Sequence, residues 1–416
     1  MPALMDLSAL APSSSRFAGH GPLLGGLVVT RLIGWGTTFY SPAVLVRAFD
    51  RELGLNAEIV FGGITVLLIV GALVAPMIGR RLDRHGTRGT MCLGAIVCAF
   101  GFAVLAAAQG PWSYLASWGV IGLGHAMSLA NVGNVTVAQL MGERTRRVIG
   151  LMMLVTGLAS SLFWPITAML MDRFGWRATV LVFAALQLAV VLPIYAMVPR
   201  YRGHPAPSQP ELAAPASVLE TGRIPAERRR LAFWLTACAF SASGLVSWGL
   251  PLHLIGLFQG SGLTQAQAVW IATLSGPATI AARAIDATLG ERLPAERVAL
   301  LGLLLGPLCC LALPMVPMSV AAACVFIAVF SAALGVISVA RATLPLALFG
   351  RRGFASMLGR LTVPQNIAFA AAPLLFAVLI ERFGPRETLL ISAAIQFLGF
   401  FAMLALVRVL ERPAVQ

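Results

Sequence analysis

Residues Gly79 to Arg88 read GRRLDRHGTR: four arginines, an aspartate and a histidine in ten positions, set between apolar runs that fill 56 to 79 and 89 to 109. Each run supplies the roughly 20 apolar residues, at about 1.5 Å of rise apiece, that a helix needs to cross a bilayer. The polar stretch is therefore expected as the tight turn between two crossings. Gly79 and Gly86 would permit close approach and a left-handed backbone there, while Arg84 and Arg88 would hold the loop at an anionic headgroup surface. Asp83 is an acid among bases, suited to accept hydrogen bonds from a helix N-terminus or to pair with arginine.

The same window, moved along the 416 residues, gives twelve spans: 22–46, 56–79, 89–109, 113–140, 149–171, 178–198, 231–257, 265–288, 297–317, 319–342, 358–380 and 388–409. Alternating strand patterns are missing, and lipid-facing backbone must satisfy its own hydrogen bonds, so the spans are expected as helices. Composition agrees. The chain is 58% hydrophobic and 11% charged, with a mean hydropathy of +0.87, outside the range of soluble domains.

The expected organisation is a tail over 1–21, a first six-helix bundle over 22–198, a linker over 199–230, a second bundle over 231–409 and a tail over 410–416. The linker contains HPAPSQPELAAPAS, rich in proline, alanine and serine. The first twenty residues lack a basic start followed by an apolar core, so a tail is expected there and not a signal peptide.

Basic residues number 30 against 16 acidic ones, and every one is an arginine. The arginines cluster between spans and form no single basic face, so membrane topology accounts for the charge and no nucleic-acid partner is expected. With a cytoplasmic N-terminus, the outer loops hold Arg47, Arg51, Arg173, Arg177, Arg382 and Arg386; Arg31, Arg283 and Arg341 fall within spans, and every other arginine falls on inner segments. The positive-inside bias thus puts both termini in the cytoplasm. The expected location is a bacterial inner (plasma) membrane, with the lipid bilayer as partner. Six cysteines fall inside apolar runs without CxxC pairing, so neither a disulfide framework nor a metal site is expected.

An internal repeat divides the chain in two. DRFGWRATV (Asp172–Val180) matches ERFGPRETL (Glu381–Leu389) at a shift of 209, and the same shift sets Gly150 on Gly359 and Pro42 on Pro251.

With these residues in view, the chain resembles the major facilitator superfamily. GRRLDRHGTR is similar to that family's loop signature G-x-L-x-D-R-x-G-R-R, with Gly79, Asp83, Arg84, Gly86 and Arg88 in place and departures at Arg81 and Thr87. The resemblance implies an all-α membrane protein of twelve transmembrane helices in two pseudo-symmetric bundles, which rock about a central site. It also implies that Asp83, with Arg84 and Arg88, gates the cytoplasmic side. A merely topogenic charged loop is the alternative.

Ionisable groups at membrane depth are costly, which makes each a functional candidate. Arg31 lies roughly 13 Å into span one at helical rise, just before GWGTTFY (Gly34–Tyr40). It is either an anion-binding residue or a structural one, bonded to carbonyls or snorkelling to headgroups. Arg283 and Asp286, three apart on span eight, can pair on one face; some organic-anion members of the superfamily carry a substrate arginine on this span. Arg341 is expected as a headgroup anchor. On span four, His125, Ser128, Asn131 and Asn134 recur at steps of three. His125 is a proton-responsive group, a substrate donor or a satisfied core histidine. Tyr40, Ser160, Ser161 and Trp164 either complete a polar and aromatic lining or serve as interhelical glue.

Apart from Asp286 the spans contain no internal carboxylate, and nucleophile–base or metal-ligand constellations are absent, so an enzyme is not expected and no cofactor is called for. TGLASSLFWP on span five does not match the G-x-x-x-G-P-x-x-G-G of the superfamily's proton-coupled drug exporters. The expected function is secondary transport of a small organic solute, an organic anion above all, by a monomer with a proton as the candidate coupling ion. A drug or metabolite efflux transporter is the alternative.

Overall fold

The computed structural model describes residues 21–141, 148, 152, 155–199, 224, 226–289, 295–349 and 354–411. The expected tails and most of the expected linker lie outside them. The described residues are helical, without strands.

The first half comprises α1 (Gly21–Trp35), a π-turn at Gly36–Tyr40, α2 (Pro42–Leu53), α3 (Ala57–His85), α4 (Thr87–Ala106), α5 (Pro111–Ser128), α6 (Ala130–Met141), α7 (Ala159–Leu186) and, after a second π-turn, α8 (Leu192–Ala196). The second half comprises α9 (Arg229–Gly260), α10 (Gln265–Thr273), α11 (Ser275–Leu289), α12 (Ala295–Ala312), α13 (Val320–Phe349) and α14 (Phe354–Glu411). Among the described residues, helix occurs in each of the twelve stretches expected to span, and eight helices are long and apolar enough to cross a membrane.

Exposure runs opposite to that of a soluble protein. Leu73 is 72% exposed and Phe100 62%, whereas Thr37, Thr38, Ser117 and Thr236 are buried. An apolar exterior of this kind is stable only against lipid. The six cysteines are free, with Cys98 and Cys310 fully buried as small hydrophobes.

The repeat reappears as geometry. Inside α7 the chain reverses at Gly175 (φ 77°, ψ 169°), and inside α14 at Gly384 (φ 86°, ψ 175°). In both turns a threonine four residues on donates its hydroxyl to the glycine carbonyl, Thr179 at 2.8 Å and Thr388 at 2.7 Å. Both pairs are separated by the 209 residues of the sequence match.

The stretch Gly79–Arg88 departs from its expectation in one respect. Helix α3 continues through it to His85, so Gly79 is helical, and the turn is made by Gly86 alone (φ 74°). Its N–H caps α3 by donating to the Leu82 carbonyl at 2.9 Å.

The halves meet at the end of the bundle opposite the start of α1, here called the distal end. Asn56 Nδ2 donates to Glu381 Oε1 at 3.5 Å, and the Phe61 ring packs against His253 with centroids 3.8 Å apart and the planes tilted by 48°. Beneath them an apolar cluster joins Phe39, Phe61 and Ile64 to Leu252 and Ala377.

Candidate functional site

Arg31 sits on the inward side of α1 and is 6% exposed. Its Nη2 donates to Asn134 Oδ1 on α6, and Gly133 leaves the space through which the guanidinium passes. The side chain therefore reaches across the bundle and does not snorkel to a headgroup. A break between α5 and α6 makes this possible: Leu129 is extended (φ −102°, ψ −162°), which re-aims α6. The Tyr195 hydroxyl donates to the Ser128 carbonyl at this break, at 3.0 Å.

The π-turn after α1 is held by hydroxyls folding back on their own helix. Thr37 donates to the Ile33 carbonyl and Thr38 to the Gly34 carbonyl, each at 2.7 Å. Thr38 Oγ1 also lies 2.9 Å from His125 Nδ1. A hydroxyl has one proton; with that proton on Gly34, Thr38 accepts from His125, which places the imidazole proton on Nδ1 and leaves Nε2 as an acceptor. Trp35 meets the His125 ring edge-on at 5.1 Å.

Aromatic residues carry the site across to the second half. Trp35 and Phe39 approach Trp248 of α9 edge-on, at 6.0 and 5.3 Å. Trp248 lies flat on Phe369 of α14, 5.0 Å away with the planes 8° apart. This stack requires Gly244, because any Cβ there would run into the Phe369 ring. Tyr40 packs edge-on against Trp164 at 5.7 Å; Trp164 is buried, and its indole N–H donates to the Tyr40 carbonyl at 3.2 Å. Trp164 thus positions Tyr40.

Two further arginines reach this region. Arg283 Nε donates to Ser338 Oγ on α13 at 3.1 Å. Arg341, one turn beyond Ser338, places its guanidinium 5.0 Å from the centroid of the Phe369 ring. The headgroup-anchor expectation for Arg341 is thereby corrected. Side chains lean toward the N-terminus of their own helix, and near the end of α13 that direction leads back into the bundle.

Ser160 and Ser161 are interhelical glue: Ser160 Oγ is 3.3 Å from Ser275 Oγ, and Ser161 Oγ accepts the Gly276 N–H at 3.0 Å. The latter satisfies an orphan donor in the first turn of α11. The side chains of Asp83, Arg84, Asn131 and Asp286 lie outside the described residues, and with them the expected Arg283–Asp286 pair and most of the expected gate. Arg88 stands half-buried in the first turn of α4. Trp35, Thr38, Trp248 and Phe369 were not singled out from the sequence. Only Gly244, opposite the Phe369 ring, was available as a local signal for them.

At the distal end a cavity of about 360 Å³ opens between the halves, with Arg47, Asp50, Asn56, Phe61, His253 and Glu381 in its wall. His253 is buried there and donates from Nε2 to the Pro373 carbonyl at 2.9 Å. Among the described residues no cluster of side chains could hold a metal ion.

The sequence profile of the Major Facilitator Superfamily matches residues 26–261, more than half the chain. The chain belongs to the major facilitator superfamily. It shares its fold with a bacterial homologue of the human lysosomal transporter Spinster, solved inward-facing and occupied (TM-score 0.73, 13% identity, 95% of this chain and 98% of that one). The nucleoside transporter NupG aligns with a TM-score of 0.72 at 12% identity, over 92% of this chain and 99% of that one. The human organic anion transporter MFSD10 (TETRAN) aligns at 0.59 and 18%, over 91% and 99%. A curated relative, an uncharacterized 38 kDa protein in the 23S RNA operon of Thermoproteus tenax, is 27% identical over 164 residues. That match spans 39% of this chain and 43% of the relative. Superfamily membership and the transporter fold place the chain among integral membrane transporters and not among enzymes.

Proposed function

We propose that this major facilitator superfamily protein is a secondary transporter that moves a small organic anion by alternating access. It crosses a bacterial plasma membrane twelve times, with both termini in the cytoplasm, and it works as a monomer. The arginine bias supports this orientation. The distal seam is then the extracellular closure, and the conformation described is inward-facing. Opening it separates Asn56 from Glu381 and Phe61 from His253 while the two halves rock about the central residues. Asp83, Arg84, Gly86 and Arg88 brace the opposite side when the seam is open.

The observation that carries the anion reading is the placement of Arg31. A guanidinium in the bundle interior is costly and is retained where it has a task. By sequence, Arg31, Arg283 and Arg341 lie within the spans, whose acids are Asp286 and, at the very start of the second span, Glu58, so the interior is cationic. Arginine suits carboxylate recognition because its planar fork offers two parallel donors. Tyr40, His125 and Asn131 complete the polar contacts, and His125 is the group through which a coupling proton acts.

Thermal unfolding of the detergent-purified protein against carboxylates, amines and neutral drugs tests the proposal. A carboxylate at 100 times its Kd should add about 2.7 kcal/mol of stability, and Arg31→Gln should remove that gain while leaving insertion intact. Stabilisation by lipophilic cations or neutral drugs, with none by acids, would replace this reading with that of a drug or metabolite exporter.

A further inference from the structure

We infer that the anion is an aromatic carboxylate, gripped at its carboxylate by Arg341 and at its ring by the Trp248–Phe369 stack. The inference rests on the anion reading and deepens it. Arg341 Nε is buried and has no hydrogen-bond partner among the described residues. Its guanidinium is instead set against the Phe369 ring, 5.0 Å from the centroid. A cation on an aromatic face is attracted by the ring quadrupole, which fixes the guanidinium yet leaves its in-plane donors for an acceptor. A carboxylate is the acceptor whose two oxygens match that fork.

The second guanidinium is close by. Ser338, which holds Arg283, lies three residues before Arg341 and therefore on the same face of α13. Small residues set the helices together there: Thr279 Oγ1, whose proton goes to the Ser275 carbonyl at 2.8 Å, also lies 3.2 Å from the Ser331 carbonyl, and a Cβ on Gly335 would meet the Thr279 carbonyl oxygen at 2.8 Å. Two cations on one face favour an anionic group between them.

What lies next to these cations selects the rest of the ligand. Trp248 and Phe369 are both half-buried, so each retains accessible ring surface at the junction of the halves. Trp35 and Phe39 meet Trp248 only edge-on. A ligand ring inserted here gains offset or edge-to-face contacts with the accessible ring surface of Trp248 and Phe369, and its carboxylate is directed to Arg341, which lies against Phe369. An aliphatic acid of equal size keeps the charge contact and loses the ring contacts. An aromatic amine keeps the ring contacts and is repelled by the arginines.

Benzoate, cyclohexanecarboxylate and benzylamine separate these contributions in a titration of tryptophan fluorescence, with thermal unfolding alongside. In the unmodified protein benzoate should bind about tenfold tighter than cyclohexanecarboxylate, from the worth of aromatic pairs, and benzylamine should not bind. Arg341→Gln should weaken benzoate about tenfold or more, the worth of a charge-assisted hydrogen bond; Arg341→Lys should restore part of it. Phe369→Leu should abolish the preference for the aromatic acid while both acids still bind. Equal affinity for the two acids in the unmodified protein, or benzoate binding indifferent to Arg341→Gln in a protein that unfolds at its normal temperature, overturns the inference and leaves the anion reading standing. Binding of benzylamine with neither acid overturns both.

Discussion

Replacing Gly384 with alanine puts a Cβ on a backbone with φ 86° and ψ 175°, and replacing Gly175 does the same at φ 77° and ψ 169°. Both fall in the region that is essentially closed to every residue but glycine, where a side chain costs about 1–3 kcal/mol. Space is not the issue: a Cβ on Gly175 meets nothing within 4 Å, and one on Gly384 meets only the Glu387 carboxylate at 3.5 Å. The expected loss is therefore purely conformational, about 5- to 150-fold in the folded-to-unfolded ratio for each variant. Gly79 supplies the control of opposite sign. It is helical with open space around it, so Gly79→Ala should stabilise by about 0.5–1 kcal/mol. The assay is unfolding of the three purified variants under one detergent and one heating rate, followed by tryptophan fluorescence. Gly175→Ala and Gly384→Ala should both fall below the unmodified protein, by similar amounts, and Gly79→Ala should match or exceed it. If either turn glycine tolerates alanine without loss while Gly79→Ala destabilises, the account of the duplicated turn is wrong.

Two other outcomes follow from contacts described above. Phe61→Ala removes the ring packed against His253; it should speed the labelling of a cysteine placed at Leu252, 1% exposed in the distal seam, by an impermeant maleimide added outside cells, and an unchanged rate would mean that this contact does not hold the seam. Thr38→Val keeps the shape of a buried side chain but strands His125 Nδ1, so it should cost about 1–3 kcal/mol in thermal unfolding, whereas Thr38→Ser should cost far less; equal losses would refute the hydrogen bond.

The helices were legible because hydropathy over about 20 residues is a local property, and lipid leaves the backbone little other choice. The turn at Gly384 was legible through its match to Gly175, since one backbone conformation demands one residue type at both places. The site was legible only in part. Arg31 and His125 stand out as rare groups at membrane depth, but Asn134 and Thr38, which hold them, lie on other helices, and nothing in either segment encodes that meeting. The Trp248–Phe369 stack joins residues more than a hundred positions apart, and apolar rings in apolar spans look the same whether they face lipid or each other. Arg341 reads as a headgroup anchor from its position toward the inner end of its span. Its side chain, however, leans toward the start of the helix and so into the bundle.

The distal seam joins Phe39, Phe61 and Ile64 to Leu252 and Ala377, with Ala43 and Val44 set against Leu250, Leu254 and Phe376. Contact of this kind has a thermal signature. Parting it exposes apolar surface to water, which raises the heat capacity and is opposed mainly by entropy near room temperature. Warming therefore tightens the closure and cooling relaxes it, while added salt, which weakens ionic latches by screening, leaves it nearly untouched. A gate built this way is set more by the temperature of the growth medium than by its ionic strength.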